Sequence, residues 1–277
     1  MPCNAMTIDV EDYFQVSAFA RHISRDDWHH LPCRIERNMD VILKLLDEHD
    51  AKATFFTLGW IAERYPEMVK RICDNGHEIA SHGYHHLKAS EQTMEEFRQD
   101  VKSSKALLED ISGCKVKGYR APSFSINGEN LWALDVLKDE GYEYSSSIYP
   151  IRHDHYGMPD APRFGFRPQG PDGILEIPAT TAAFFGRNLP ASGGGYFRML
   201  PYPLSRFLMN RVNAKDGESC IFYFHPWEID PGQPRQQGVG FKTRFRHYVN
   251  LSRMEDKISS LLLDFQWGRM DEIFLAS

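Results

Sequence analysis

The 277 residues are 42% apolar and 13% aromatic, enough for a large core in one or two domains and too rich in rings for a disordered chain. A net charge of -6, with basic residues scattered, excludes a general nucleic-acid or anionic-membrane binder. No apolar run reaches the roughly 20 residues of a membrane span. No leader pattern precedes the first strand, and the five cysteines (Cys3, Cys33, Cys73, Cys114, Cys220) stand in no paired spacing. A cytoplasmic protein with reduced, packing thiols is expected.

In chain order, residues 5–10 form a short apolar strand that ends in Asp9-Val10-Glu11-Asp12. Met39, Ile42, Leu43, Leu45 and Leu46 give residues 37–49 a helical period. Residues 52–58 (KATFFTL) are strand-like. A helix opens at Pro66, which suits a first helical turn, and stops at Asn75-Gly76. Residues 77–81 are a strand that delivers the chain to His82. Residues 90–111 make an amphipathic helix, 116–121 a strand, 128–140 a helix and 142–147 a strand. This alternation predicts a parallel sheet or barrel wrapped by helices. Beyond it, residues 151–173 read as a long surface loop, 175–177 and 220–224 as strands and 253–263 as a helix. No repeat or linker divides the chain, so residues 1–277 are expected to form a single domain.

His82 and His86 are four residues apart, a spacing that places both imidazoles on one face of a helical turn, within reach of one cation. A catalytic zinc site keeps three protein ligands and an open position for water, and two His plus a carboxylate is a common set. The acids at the end of the first strand offer the third ligand and a separate base. Side chains alternate along a strand, so Asp9 and Glu11 point one way and Asp12 the other. Asp9 is therefore preferred as base and Glu11 as ligand, with Asp12 as the ligand if the strand has already turned. Arg120, in Gly118-Tyr119-Arg120-Ala121-Pro122, can hold a carboxylate by a bidentate contact. His225, at the end of Phe222-Tyr223-Phe224 and before Pro226, can protonate a leaving amine. Gly193-Gly194-Gly195 reads as a loop that could admit backbone close to a sugar, and it lacks the Lys-Ser/Thr of a phosphate loop. Tyr196, Phe197 and Trp227 are aromatic candidates for stacking on sugar faces.

In this order, the acids at Asp9–Asp12, the S-H-x-x-x-H run at Ser81–His86, the R-x-P run at Arg120–Pro122 and His225 resemble the polysaccharide deacetylase family, whose catalytic region is also called the NodB homology domain. The K-A-T-F-F segment at Lys52–Phe56 looks like the family's second strand. The resemblance covers residues 5–150 and 218–228. Asp9–Phe14 with Gly193–Arg198 looks like a subgroup encoded with bacterial exopolysaccharide biosynthesis. The resemblance implies an α/β fold, a distorted (β/α) barrel with fewer than eight strands. It also implies one divalent metal, zinc above all, and hydrolysis of N-acetyl groups from N-acetylhexosamine units of a polysaccharide or its precursor. Carried over, Asp9 is the base, His82 and His86 are ligands, Arg120 orients Asp9 and His225 is the general acid. The backbone near Ser123 would hold the oxyanion, and Tyr223 would line the acetyl pocket. Two departures stand out. Val10 separates two acids that the family has adjacent, and Tyr144-Ser145-Ser146-Ser147 lacks the acid that usually supports the catalytic His, so Glu228 or Asp230 is expected to substitute. The implied partner is an N-acetylated glycan, and oligomerisation stays open. An amidase acting on small ureides, on the same scaffold and with or without metal, is the alternative.

Overall fold

A computed structural model describes residues 2–153 and 157–275. Of the loop expected over 151–173, residues 154–156 lie outside the described residues. The first strand, β1 (Asn4–Val10), is buried along its whole length. Helix α1 (Ile35–Glu48) buries Ile35, Met39, Ile42, Leu43 and Leu46, the stripe of a 3.6-residue period. It is followed by β2 (Thr54–Thr57), α2 (Gly59–Arg64), α3 (Pro66–Asp74) and β3 (Glu78–Ser81). Helix α4 (Met94–Ser112) starts at a capping box, in which Thr93 and Glu96 satisfy each other's backbone amides, and stops at Gly113 with φ 67°. Then come β4 (Gly118–Tyr119), α5 (Trp132–Asp139), β5 (Tyr144–Ser145) and β6 (Leu175–Glu176).

The second half adds an antiparallel hairpin, β7 (Thr181–Phe184) and β8 (Arg187–Pro190). Two helices follow, α6 (Gly194–Met199) and α7 (Tyr202–Arg211). Strand β9 (Ile221–Phe224), α8 (Phe241–Tyr248), α9 (Met254–Asp264), β10 (Trp267–Gly268) and α10 (Met270–Phe274) complete the order. No described helix is long and apolar enough to cross a membrane.

Seven strands run β9-β1-β2-β3-β4-β5-β6, all parallel, and β10 pairs with the first residues of β1. The sheet curls into a barrel that stays open between β6 and β9; the Ile221 amide reaches across to Thr180 Oγ1 at 2.7 Å. Inside the curve Ala5, Phe56, Ala80, Tyr144, Ile177 and Ile221 pack as one layer, closed by Met270. Strand side chains alternate, so residues two and four positions further along share that inward face. From Ala5 this gives Thr7 and Asp9, from Ala80 it gives His82, and from Ile221 it gives Tyr223 and His225. Gly118 faces the layer as well, because a Cβ there would lie 2.1 Å from the Tyr144 ring; two residues on is Arg120. The larger core lies outside the sheet, between strands and helices.

The thiol expectation needs one correction. Cys73, at the end of α3, and Cys114, after α4, are joined by a disulfide; Cys3, Cys33 and Cys220 are free. The two cysteines are 41 residues apart in sequence, and side-by-side packing of α3 and α4 brings their C-terminal ends together, which spacing alone does not show.

Candidate active site

Asp9, Glu11, His82, Arg120 and His225 meet at the carboxyl ends of β1, β3, β4 and β9, where loops leave a parallel barrel and place chemistry. Arg120 is fully buried, and each of its three nitrogens donates at least one hydrogen bond. NH1 donates to Asp9 Oδ1 at 2.7 Å and to Thr7 Oγ1 at 2.8 Å, and Nε and NH2 donate to the Ser146 carbonyl and hydroxyl. Asp9 is thereby held by one oxygen. The other, Oδ2, lies 3.9 Å from His225 Nε2.

His82 and His86 are not on a helical turn. The residues after β3 form an irregular loop, bent at Gly83 (φ 76°) and at His86 itself (φ 54°). The loop is fixed from several sides. The Tyr84 amide donates to Asp100, the Gly59 and Trp60 amides donate to the carbonyls of Gly83 and Tyr84, and Arg25 donates to those of His85 and His86. A side chain at Gly83 would run into Asp100 Oδ2 at 2.7 Å. The result is the one the spacing argument sought by another route, with ring centroids 5.3 Å apart. The His82 Nδ1–H faces the Arg120 carbonyl at 2.8 Å, which leaves Nε2 free. Burial pulls His82 down to about 4, so its imidazole is neutral at pH 7 and able to ligate.

Glu11, not Asp12, completes this group. One donor atom from each of Glu11, His82 and His86 lies within 4.8 Å of the others, and all three residues are buried. Glu11 Oε2 lies 2.8 Å from His86 Nε2 but out of line for a hydrogen bond, and it has no other hydrogen-bond partner among the described residues. A buried carboxylate oxygen aimed beside two imidazole nitrogens, without a proton to share, fits a divalent cation. Trp227 Nε1–H donates to the other oxygen, Oε1, at 3.3 Å. Burial alone would raise the Glu11 carboxyl, but the imidazoles of His86 and His225 outweigh it and bring the group to about 2. Asp12 sits past the end of β1, where the chain has turned outward. Its Oδ1 accepts the Tyr13 amide at 2.7 Å and its Oδ2 the Arg34 amide. It is a buried backbone clasp, so of the two carboxylates expected as ligands only Glu11 lies with His82 and His86.

His225 is 21% exposed, the reachable member of a group that is otherwise sealed. Its Nε2 lies 3.5 Å from Glu11 Oε1, and its Nδ1 lies 3.0 Å from Glu228 Oε2. Of the two acids expected to support it, Glu228 does so, while Asp230 pairs with Arg34. Burial lowers the imidazole, but Glu11, Glu228 and Asp9 more than reverse this and raise it to about 9, so the ring carries a proton at neutral pH. Burial would likewise raise Glu228, and the Arg198 guanidinium and His225 bring it down to about 2.

The remaining expected residues divide. Tyr223 packs against Phe124, with centroids 4.9 Å apart, and faces His225, placing its ring beside the site. Ser123 and Phe124 both adopt left-handed backbone, φ 57° and 49°, a conformation non-glycine residues hold only when the surroundings enforce it. This turn re-aims the backbone directly after Arg120. Trp227 is corrected: it is buried, with His225 stacked on it at 5.3 Å and His247 at 4.2 Å, so its indole faces are taken and it cannot stack on a sugar. Phe197 is core, against Phe222, and Tyr196 is half-buried in α6. Gly193 and Gly194 are not a flexible loop; they are buried where α6 begins. Arg198 was missed as a site-related residue. Its signal was the glycine-rich run itself, which ends on a basic residue one helical turn after Gly194. A cavity of about 630 Å³ opens on the outer side of the His82–His86 loop between Trp60, Tyr84, His85 and α4, not over Asp9.

Residues 26–145 match the polysaccharide deacetylase family model, and residues 146–275 match a domain of unknown function, DUF3473. A peptidoglycan-N-acetylglucosamine deacetylase of Bacillus cereus is 37% identical over 95 residues, 34% of this chain and 34% of the relative. A chitooligosaccharide deacetylase of Azorhizobium caulinodans is 34% identical over 97 residues, 35% of this chain and 43% of the relative. The chain thus spans less than half the length of either relative. A crystal structure of a putative polysaccharide deacetylase from Mycobacterium smegmatis superposes with a TM-score of 0.60 at 19% identity, covering 99% of this chain and 90% of the other, which establishes the fold. The family match contains His82, His86 and Arg120; Asp9 and Glu11 precede it and His225 follows it, and the segments that carry them leave strands of one sheet. The chain thus carries a polysaccharide deacetylase domain match over residues 26–145, followed by DUF3473.

Proposed function

We propose that the protein is a metal-dependent deacetylase that removes N-acetyl groups from N-acetylhexosamine units of a bacterial polysaccharide or its biosynthetic precursor. The observation that carries this is the convergence of a clamped carboxylate and a protonated imidazole on the Glu11-His82-His86 group. The names of the relatives, which act on peptidoglycan and chitooligosaccharide, support the substrate class. Glu11, His82 and His86 would hold one divalent ion, and two imidazoles with one carboxylate suit zinc. Such an ion, when bound, polarises an amide carbonyl and acidifies a water.

The chain's own residues account for the proton movements. Arg120 holds Oδ1 of Asp9, so Oδ2 is the oxygen left to take a proton from the attacking water. His225 Nε2 faces the same space and carries a proton, which it gives to the departing amine nitrogen as the C–N bond breaks. The left-handed turn at Ser123 supplies backbone dipoles beside the developing oxyanion, and the Tyr223 ring packs where a methyl group would lie.

The test is release of acetate, with matching free amine, from N-acetylated chitooligosaccharides, peptidoglycan strands and exopolysaccharide, with a small ureide as a parallel substrate. Asp9→Asn should abolish turnover and keep bound metal. Turnover of the ureide alone, or undiminished activity in thoroughly chelated protein, would overturn the proposal. The disulfide is favoured in an oxidising compartment, whereas a cytoplasmic site would keep Cys73 and Cys114 reduced. Thiol labelling in intact cells decides between the two.

A further inference from the structure

Glu228 supports His225, and the structure shows what supports Glu228. Its Oε2 accepts both the backbone amide and Nδ1 of His225, each at 3.0 Å, and its Oε1 accepts Nε of Arg198 at 2.8 Å. Arg198 is 1% exposed. Its other nitrogens donate to the carbonyls of Arg246, His247 and Val249 at the end of α8, so the guanidinium has one geometry only. Gly194 lies one turn before Arg198 on the same face of α6. A Cβ at Gly194 would come within 1.9 Å of Glu228 Oε2, so no other residue leaves room for the carboxylate. Gly193, with φ 93°, makes the equivalent space for the Tyr223 ring. Within the run Gly193-Gly194-Gly195-Tyr196-Phe197-Arg198, Gly194 and Arg198 together therefore form a socket for one carboxylate.

We propose that Arg198, with Gly194 beside it, is a positioning residue that locks Glu228 so that its carboxylate fixes the ring of His225. This replaces the acid absent from Tyr144-Ser145-Ser146-Ser147 with one borne on the far side of His225 and held by α6. The proposal rests on the general-acid reading of His225 for its effect on rate but not for its geometry.

The test uses the full chain, and Arg198→Lys, Glu228→Gln, Gly194→Ala and the double variant R198K/E228Q. The structural readout is the Nδ1 proton resonance of His225 in metal-free protein, expected far downfield in the wild type and lost or shifted in each single variant. The kinetic readout is a fall in kcat of about 10²-fold, the scale for a misplaced catalytic group, with KM and bound metal unchanged. The double variant should lose no more than the worse single one. Gly194→Ala removes no hydrogen-bonding group, and so keeps the test open if the Arg198 variant fails to fold. A His225 resonance unmoved in all folded variants, or losses that multiply in the double, would overturn the proposal. A wild type without turnover would refute the deacetylase reading and leave the resonance to decide this one.

Discussion

Glu11 and Asp12 are adjacent at the end of β1, and the structure gives them different partners. Asp12→Ala removes the acceptor of the buried Tyr13 amide and of the Arg34 amide, and leaves a small void. An orphaned buried amide costs about 1–3 kcal/mol; the second amide is only partly buried and adds less. A total of about 2–4 kcal/mol follows, and at about 2–4 °C per kcal/mol the melting temperature should fall by roughly 5–15 °C. Bound metal per folded chain should not change. Glu11→Gln keeps the shape and the acceptor for Trp227 Nε1 but loses the charge that faces the two imidazoles, so metal should be lost on dialysis with little effect on unfolding. Differential scanning calorimetry with elemental analysis of both variants reads the two effects separately. Metal loss in Asp12→Ala, with metal retained in Glu11→Gln, would refute the assignment.

Three other outcomes follow from the same coordinates. Arg120→Met should keep metal and lose turnover; it also strands the buried Asp9 carboxylate, at a cost of about 3–5 kcal/mol, so unaltered activity would remove Arg120 from the mechanism. Glu176 is fully buried, and burial raises its carboxyl to about 7, above the ordinary 4.5; the folded state therefore holds a proton that the unfolded state releases. Its contribution is present below about pH 4.5 and is lost as pH rises through 7, up to about 3 kcal/mol, so Glu176→Gln should flatten the melting temperature between pH 5 and 8, and an unchanged slope would contradict this. Reducing the Cys73–Cys114 disulfide, which closes a 41-residue separation, should cost about 4 kcal/mol, and an unmoved melting temperature in reductant would show that it contributes nothing.

The β1-to-β5 alternation was legible because β1 and β2 centre on apolar residues and α1 carries a clear 3.6-residue stripe. Asp9 and Glu11 were placed on one face by the two-residue period of a strand, and that same period aligns Ala80 with His82 and Ile221 with His225. The His82–His86 turn was misread, because residues four apart can be brought together by two left-handed residues as well as by a helix. Glu228 was within reach as the fourth residue of His-Pro-Trp-Glu, a turn that closes back on its own first amide. Arg198 was marked only by the glycine-rich run that ends on it, which does not disclose its partners 30 and about 50 residues away. The hairpin, α7 and α8 carry exposed apolar residues (Phe185, Phe207, Phe241) that blur any hydrophobic period. The disulfide depends on helix packing, which no cysteine count contains.

Strand β1 is clasped by β2 on one side and by β9 on the other, and Thr7 bonds to the Phe222 carbonyl across 215 residues. During synthesis the Asp9 side chain thus leaves the ribosome long before the strand that brings its proton-donating counterpart. Until β9 arrives, one edge of β1 is bare backbone, open to pairing with any extended segment. In the proposed mechanism, competence to cleave amides is therefore a property of the finished fold: a nascent chain halted at residue 200 carries both imidazoles of the 82–86 loop and the guanidinium of Arg120, yet lacks His225, the proposed acid.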